Sequence, residues 1–189
     1  MSPWTRLSAP AALLPSPDID TDKILPARFM KGLERDGLGQ HLFADVRVSD
    51  ANYAIARDRR IIVAGRNFGS GSSREHAVWA LTGHGIRCVI APSFGSIFAG
   101  NAASNGLLLA TVSDGDLAML AERLTAFPDL PIDVDLGAQT ILAGNLHLAF
   151  AIDAGVRQAM LEGLDDIGRT LRFADAIAAY EQRSLSASA

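Results

Sequence analysis

The chain alternates short, dense apolar runs with loops punctuated by glycine, and its predicted elements follow from that rhythm. Ile61–Ala64 is a four-residue apolar, β-rich run, read as a buried strand. Gly65, Gly69 and Gly71 make the next stretch a flexible loop. Ser72-Ser73-Arg74-Glu75 then opens a helix whose apolar positions are Ala77, Val78, Ala80 and Leu81. Gly83 and Gly85 close that helix. Residues 86–92 (IRCVIAP) read as a second buried strand, and residues 93–106 as a short helix ending in an Asn-Gly turn. Residues 107–112 (LLLATV) are a third strand. Strand, glycine loop, helix, strand, helix, strand predicts βαβ connectivity, with helices packed on a parallel sheet.

The rhythm changes on either side of this block. Residues 113–130 begin with Ser and Asp caps and carry Leu117, Leu120, Ala121 and Leu124 at helical spacing. Residues 132–153 show short alternating runs broken by Gly137 and Gly144, the pattern of a β-meander. Two helical segments follow, near 153–163 and 173–183. Ahead of the first strand, in residues 17–32 (PDIDTDKILPARFMKG), three aspartates and two prolines interrupt any helical period. That stretch reads as a loop with a short extended piece, and residues 18–35 are expected to be the most mobile part of the chain. No internal repeat, low-complexity tract or linker divides the 189 residues, so one domain is expected over 1–189 with a core of about 13–183.

Composition narrows the partners. A net charge of −4, a pI near 5.5 and the lack of any Lys/Arg run argue against nucleic acid. No apolar stretch approaches the ~20 residues of a membrane span. The opening MSPWTRLSAPAALLPSP has only a brief, proline-broken apolar patch rather than the apolar core of a signal peptide, so a cytoplasmic location is expected. The single cysteine, Cys88, lies in an apolar run and reads as a small buried side chain. It precludes an internal disulfide and an iron–sulfur cluster held by this chain alone.

The candidate chemistry lies in residues 65–81 (GRNFGSGSSREHAVWAL). A glycine loop entering a helix presents backbone N–H groups at the positive end of the helix dipole, an anion site. Arg74 adds a planar fork suited to a carboxylate. Ser72 and Ser73 bring hydroxyls, one of which could exchange a proton if stabilised there. A plainer role competes with this one, and the two are compatible: Ser72-x-x-Glu75 has the spacing of a capping box. No Lys-Ser/Thr pair follows the glycines, so this is not a P-loop. The third glycine of a dinucleotide loop would fall on Arg74. His41, His84 and His147 have no metal-ligand spacing, and Asp18, Asp20 and Asp22 lack the glycine and glutamate of a calcium loop, so no metal is assigned to this chain.

Residues 69–77 (GSGSSREHA) and 85–112 together resemble the swivelling domain of the aconitase superfamily. Residues 18–31 (DIDTDKILPARFMK), 37–43 (GLGQHLF) and 163–181 (GLDDIGRTLRFADAIAAYE) are similar to the small-subunit family of bacterial 3-isopropylmalate dehydratases. The resemblance implies an α/β fold: a swivelling β/β/α domain with a mainly parallel central sheet flanked by helices. It implies a hydro-lyase that interconverts 2- and 3-isopropylmalate in leucine biosynthesis, by loss and re-addition of water. It also implies a large partner that holds a 4Fe–4S cluster, in a heterodimer or heterotetramer, and a small dicarboxylate substrate. By the match, Ser72 resembles the residue that takes and returns the substrate proton, and Arg74 the one that holds a carboxylate. Ser73 lends a hydroxyl or backbone N–H. Arg35 falls at a second carboxylate-binding arginine. Arg28, Phe29 and Met30 stand where the loop facing the substrate side chain begins. Asp22, Glu75 and His76 support the site, with His76 orienting or capping. The sequence departs from the family in two ways: the stretch between Val48 and Arg59 is short, and Val46 and Val48 stand where aromatics are expected. Two alternatives therefore stay open: a hydro-lyase for another alkylmalate, of citramalate or dimethylmalate type, and a non-enzymatic anion-binding module.

Overall fold

A computed structural model of the chain describes residues 3–30 and 35–187. Its strands are β1 (Arg6–Leu14), β2 (Ile61–Ala64), β3 (Cys88–Ala91), β4 (Leu108–Thr111), β5 (Pro131–Asp135), β6 (Thr140–Ala143) and β7 (Leu146–Ala149). They join one sheet in the order β4-β3-β2-β1-β5-β6-β7. The pairings from β1 to β4 are parallel and those from β1 through β5 to β7 antiparallel. The helices are α1 (Thr21–Ile24), α2 (Val46–Ser49), α3 (Glu75–His84), α4 (Ser96–Ser104), α5 (Asp114–Ala126), α6 (Ala154–Glu162), α7 (Asp166–Leu171) and α8 (Ala174–Ala187). Among the described residues no helix is long and apolar enough to cross a membrane.

The three parallel strands predicted from the apolar runs are present, and so is the meander. The sequence reading placed no element on the opening segment, yet it holds β1, which lies mid-sheet. Prolines hide it, since they cannot donate to a ladder. Pro10 sits where that matters least: residues 6–10 pair antiparallel with β5, ending at Pro10 opposite Pro131, and residues 11–14 then pair in parallel with β2. One strand thus joins the parallel half to the antiparallel half.

The sheet curls until its edges meet. Thr111, at the end of β4, exchanges two backbone hydrogen bonds with Ala151, just beyond β7, at 3.0 and 2.7 Å. Curling creates an inside and an outside, and alternate residues of each strand divide between them. Ala9, Ile61, Val63, Cys88, Ile90 and Leu108 point inward in one buried cluster. Leu14, Ile62, Ala64, Val89 and Ala91 point outward beneath α3, α4 and residues 19–30 and 38–43. Burial on both faces is why β2 and β3 read as unbroken apolar runs.

Residues 18–25 differ from the expected mobile loop. Ile19, Thr21, Ile24 and Leu25 are almost fully buried, and α1 is capped by Asp20, whose carboxylate accepts from the Lys23 N–H at 2.7 Å. Burial of apolar side chains every few residues anchors the segment against α3 despite its aspartates and prolines. Residues 26–30 continue as a helical turn in which Ala27 and Arg28 are exposed and Phe29 and Met30 half-buried, and residues 31–34 lie outside the described residues. A 3-10 turn at Leu38–His41 packs onto the end of α3, where Gly39 lies so close to the Gly83–His84 backbone that any side chain would clash. The C-terminal tail holds three helices where two were expected, α7 being the addition.

Candidate active site

The parallel strands β1, β2 and β3 all end on the same edge of the sheet, where ligands bind in open parallel folds. Three connections leave that edge side by side: residues 15–25 after β1, 65–74 after β2 and 92–95 after β3. Isolated bridges join them, Asp20 with Ser70 and Phe68 with Phe94. The glycine loop is therefore clamped between its neighbours.

The clamp can be followed residue by residue. The Gly69 N–H donates to the Ile19 carbonyl at 2.7 Å, and the Thr21 N–H to the Ser70 carbonyl at 2.9 Å. The Thr21 hydroxyl donates to the Ser72 carbonyl at 3.2 Å. The Asp22 carboxylate forms an ion pair with the Arg74 guanidinium. Gly69 has φ +74 and lies against the face of the Phe98 ring, so both its conformation and the space beside it require glycine. Ser72 and Ser73 stand exposed at the crest, and Arg74, Glu75 and His76 are half-buried below them.

The capping box is not formed. Helix α3 begins at Glu75 with Arg74 as its N-cap residue (φ −122, ψ 94), and no side chain caps it. Ser72 lies too far before the helix to cap it, and Glu75 occupies the first helical position rather than the third. The Glu75 carboxylate instead accepts from Asn105 Nδ2 at 2.7 Å and Trp79 Nε1 at 3.3 Å, while Trp79 Nε1 also donates to Asn105 Oδ1 at 3.2 Å. Arg35 joins this cluster, with Nη2 3.9 Å from Glu75 Oε1 and Cζ 4.7 Å from the Trp79 ring centroid. His76 does not cap either. Its ring leans on Trp79 at 4.6 Å, and its Nε2 is buried without a hydrogen-bond partner among the described residues. The structure thus gathers Asp22, Arg35, Ser72, Ser73, Arg74, Glu75 and His76 around the start of α3.

Arg28, Phe29 and Met30 have partners of their own. Arg28 donates to Asp45 at 2.8 Å, and that bond holds the Asp45 carboxyl below its ordinary range. Phe29 stacks on His41 at 4.0 Å with the rings 9° from parallel. Among the described residues no hydrogen bond or ion pair links Arg28–Met30 to Ser72–Arg74.

Sequence reasoning missed Thr21, Trp79 and Asn105. Asn105 was taken for a turn residue because glycine follows it, and its side chain reaches back across the fold instead. Thr21 lies between two aspartates, and its burial had no signal in composition. Two arginines here each face a single carboxylate. A guanidinium has five N–H donors, so donors remain for an incoming carboxylate. Among the described residues no three His, Cys, Asp or Glu side chains stand together as metal ligands. Cys88 faces the inside of the curled sheet, and burial pushes its thiol well above the usual range, opposite to what a thiolate ligand needs. An iron–sulfur cluster has no fit on this chain.

The aconitase C-terminal domain family matches residues 4–115, and the family of C-terminal domains of the 3-isopropylmalate dehydratase small subunit matches residues 166–187. A 3-isopropylmalate dehydratase small subunit of Methylobacterium radiotolerans is 44% identical over 97% of this chain and 96% of its own length. One from Acidobacterium capsulatum is 44% identical over 96% of this chain and 90% of its own length. The crystal structure of a 3-isopropylmalate dehydratase from Methanocaldococcus jannaschii superposes with a TM-score of 0.71, at 26% identity, over 93% of this chain and 99% of that one. On these matches the protein belongs to the aconitase C-terminal domain family and, within it, to the 3-isopropylmalate dehydratase small subunits.

Proposed function

We propose that this chain is the small subunit of a two-subunit 3-isopropylmalate dehydratase, contributing the glycine loop 69–76 to a site completed by a large subunit. The observation that carries the reading is the placement of Ser72. It is exposed, takes no part in capping, and lies two residues from an arginine already oriented by Asp22.

In this reading Ser72 Oγ takes the proton from the carbon beside the hydroxyl-bearing carbon of 2-isopropylmalate. The C–H electron pair becomes the new double bond as the hydroxyl departs with its own pair. Water then re-adds with opposite regiochemistry, and Ser72 returns the proton to the other carbon. The positive end of the α3 dipole favours the alkoxide form in which the serine accepts that proton. Arg74, braced by Asp22, takes one substrate carboxylate through a fork geometry, and Arg35 takes the other. Ser73 supplies a hydroxyl or backbone N–H. Glu75, Trp79 and Asn105 hold the base of the loop, and the His76 ring packs against Trp79. The apolar side chains of Phe29 and Met30, at the start of the loop assigned to the substrate side chain, suit an isopropyl group rather than a third carboxylate. A 4Fe–4S cluster on the large subunit, in a heterodimer or heterotetramer, supplies Lewis-acid assistance to the departing hydroxyl.

The test is anaerobic turnover of 2-isopropylmalate by this chain mixed with its reconstituted large subunit, with each chain alone as control. Turnover in the mixture only is expected. An assembled pair that is silent on 2-isopropylmalate but dehydrates citramalate or dimethylmalate would reassign the substrate, and anion binding without any turnover would leave a binding module.

A further inference from the structure

We infer that Thr21 is a positioning residue for Ser72 and Ser73, acting through a single side-chain hydrogen bond; this deepens the reading of the loop proposed above and rests on it. Among the described residues Thr21 is the polar side chain buried to core level, 1% exposed. A hydroxyl so placed is costly unless it is bonded, and here its partner lies 51 residues away: Oγ1 donates to the Ser72 carbonyl at 3.2 Å.

The consequence follows from peptide geometry. In a trans peptide the carbonyl of one residue and the N–H of the next point in opposite directions. Pinning the Ser72 carbonyl inward on Thr21 therefore turns the Ser73 N–H away from Thr21, toward the exposed side of the loop. The carbonyl pin also fixes the Ser72 backbone from which the reactive hydroxyl projects. The residue before this unit, Gly71, has φ +93 and no side chain to restrict it, and its α-carbon faces Thr21: a β-carbon there would sit 3.5 Å from Oγ1. Without the threonine bond, the Ser72–Ser73 peptide plane can turn about Ser72 ψ and Ser73 φ, and Gly71, which has no side chain, offers the preceding backbone little resistance to the shift. The flanking ties do not replace it. The Thr21 N–H holds Ser70, on the far side of Gly71, and Asp22 holds the Arg74 side chain rather than the backbone.

The experiment pairs Thr21→Val, which keeps the shape and removes the donor, with Thr21→Ser, which keeps the donor. Each is assembled with the large subunit, and kcat, KM and partner affinity are measured. On the chain alone, the Ser72 carbonyl-carbon and Ser73 amide resonances are recorded, a readout independent of any substrate. Thr21→Val is expected to shift both resonances and to lower kcat by about tenfold to a hundredfold, the scale of an ångström-level misplacement, with partner affinity unchanged. Thr21→Ser is expected to retain the wild-type resonances and most of kcat. If Thr21→Val fails to fold, Thr21→Ala removes the hydroxyl without the added methyl and carries the same expectation. Wild-type kcat in the donor-less variant overturns the inference, as do equal losses in the valine and serine variants, which would assign the effect to packing. If the wild-type pair does not turn over 2-isopropylmalate, the functional reading fails, while unmoved resonances in Thr21→Val would separately refute the hold on the loop.

Discussion

The inside of the curled sheet and the rim at the carboxyl ends of β1, β2 and β3 are held by different forces. Inside, Ile61, Val63, Ile90 and Leu108 are fully buried apolar side chains whose attraction is non-directional and tolerant of repacking. On the rim, segments distant in sequence meet through directional polar ties: Ile19 with Gly69, Thr21 with Ser72, Asp22 with Arg74, Asn105 with Glu75. The curled sheet decides where the rim stands, and the rim's ties decide the direction in which Ser72, Ser73 and Arg74 point. Damage to the first is expected to appear as lost stability, and damage to the second as lost turnover.

Ile90→Ala attacks the curled sheet alone. Truncation at a fully buried position costs about 2–5 kcal/mol, read as a lower urea midpoint, while kcat per folded molecule stays near wild type. A comparable loss of kcat in the folded fraction would break the separation. Arg74→Lys attacks the rim alone. A lysine keeps the charge but cannot hold Asp22 and a substrate carboxylate with one planar fork, so KM is expected to rise about tenfold to a hundredfold with little change in the melting temperature.

Legibility in the sequence divided along the same line. The strands β2 and β3 were visible because burial on both faces leaves unbroken apolar runs, β4 by its own short apolar run, and the loop stood out by its glycines, serines and arginine. The central strand β1 was not visible: Pro10 and its neighbours broke the apolar pattern, and only the change of pairing partner at Pro10 shows why proline is harmless there. The capping box was misread because Ser72 and Glu75 have the correct spacing, while the loop's ties to residues 19–22 delay the helix until Glu75. Long-range polar ties such as Thr21 to Ser72 leave no periodicity, so the sequence reading took residues 18–35 for a mobile loop, although 18–25 within it are the rim's inner support.

Two smaller effects sharpen the comparison. Asn105→Ala removes the bonds to Glu75 and Trp79 beneath the loop, at a cost of about 1 kcal/mol in chemical denaturation and a modest fall in kcat. Asp135, on the antiparallel half away from the rim, is held below its ordinary range by the Ala138 backbone N–H and then by Arg6. A depressed carboxyl contributes its stability above the unfolded value, about 3.9, and loses it as pH falls through the folded value. Asp135→Asn is therefore expected to be slightly less stable than wild type at pH 7, with the difference shrinking on acidification toward pH 3 and no change in turnover at neutral pH. A difference that widens on acidification would refute the assignment.

The central claim is that Ser72 moves the proton while the rest of the chain holds it in place. Its most direct test is Ser72→Ala in the complex assembled with the large subunit, with kcat, partner affinity and melting temperature measured on the same preparation. The expected result is a fall in kcat of about a hundredfold to ten-thousandfold, the usual contribution of a positioned acid–base group, with affinity and melting temperature unchanged. Turnover within a few-fold of wild type would contradict the claim, and so would a loss of activity that only follows a loss of folding or assembly.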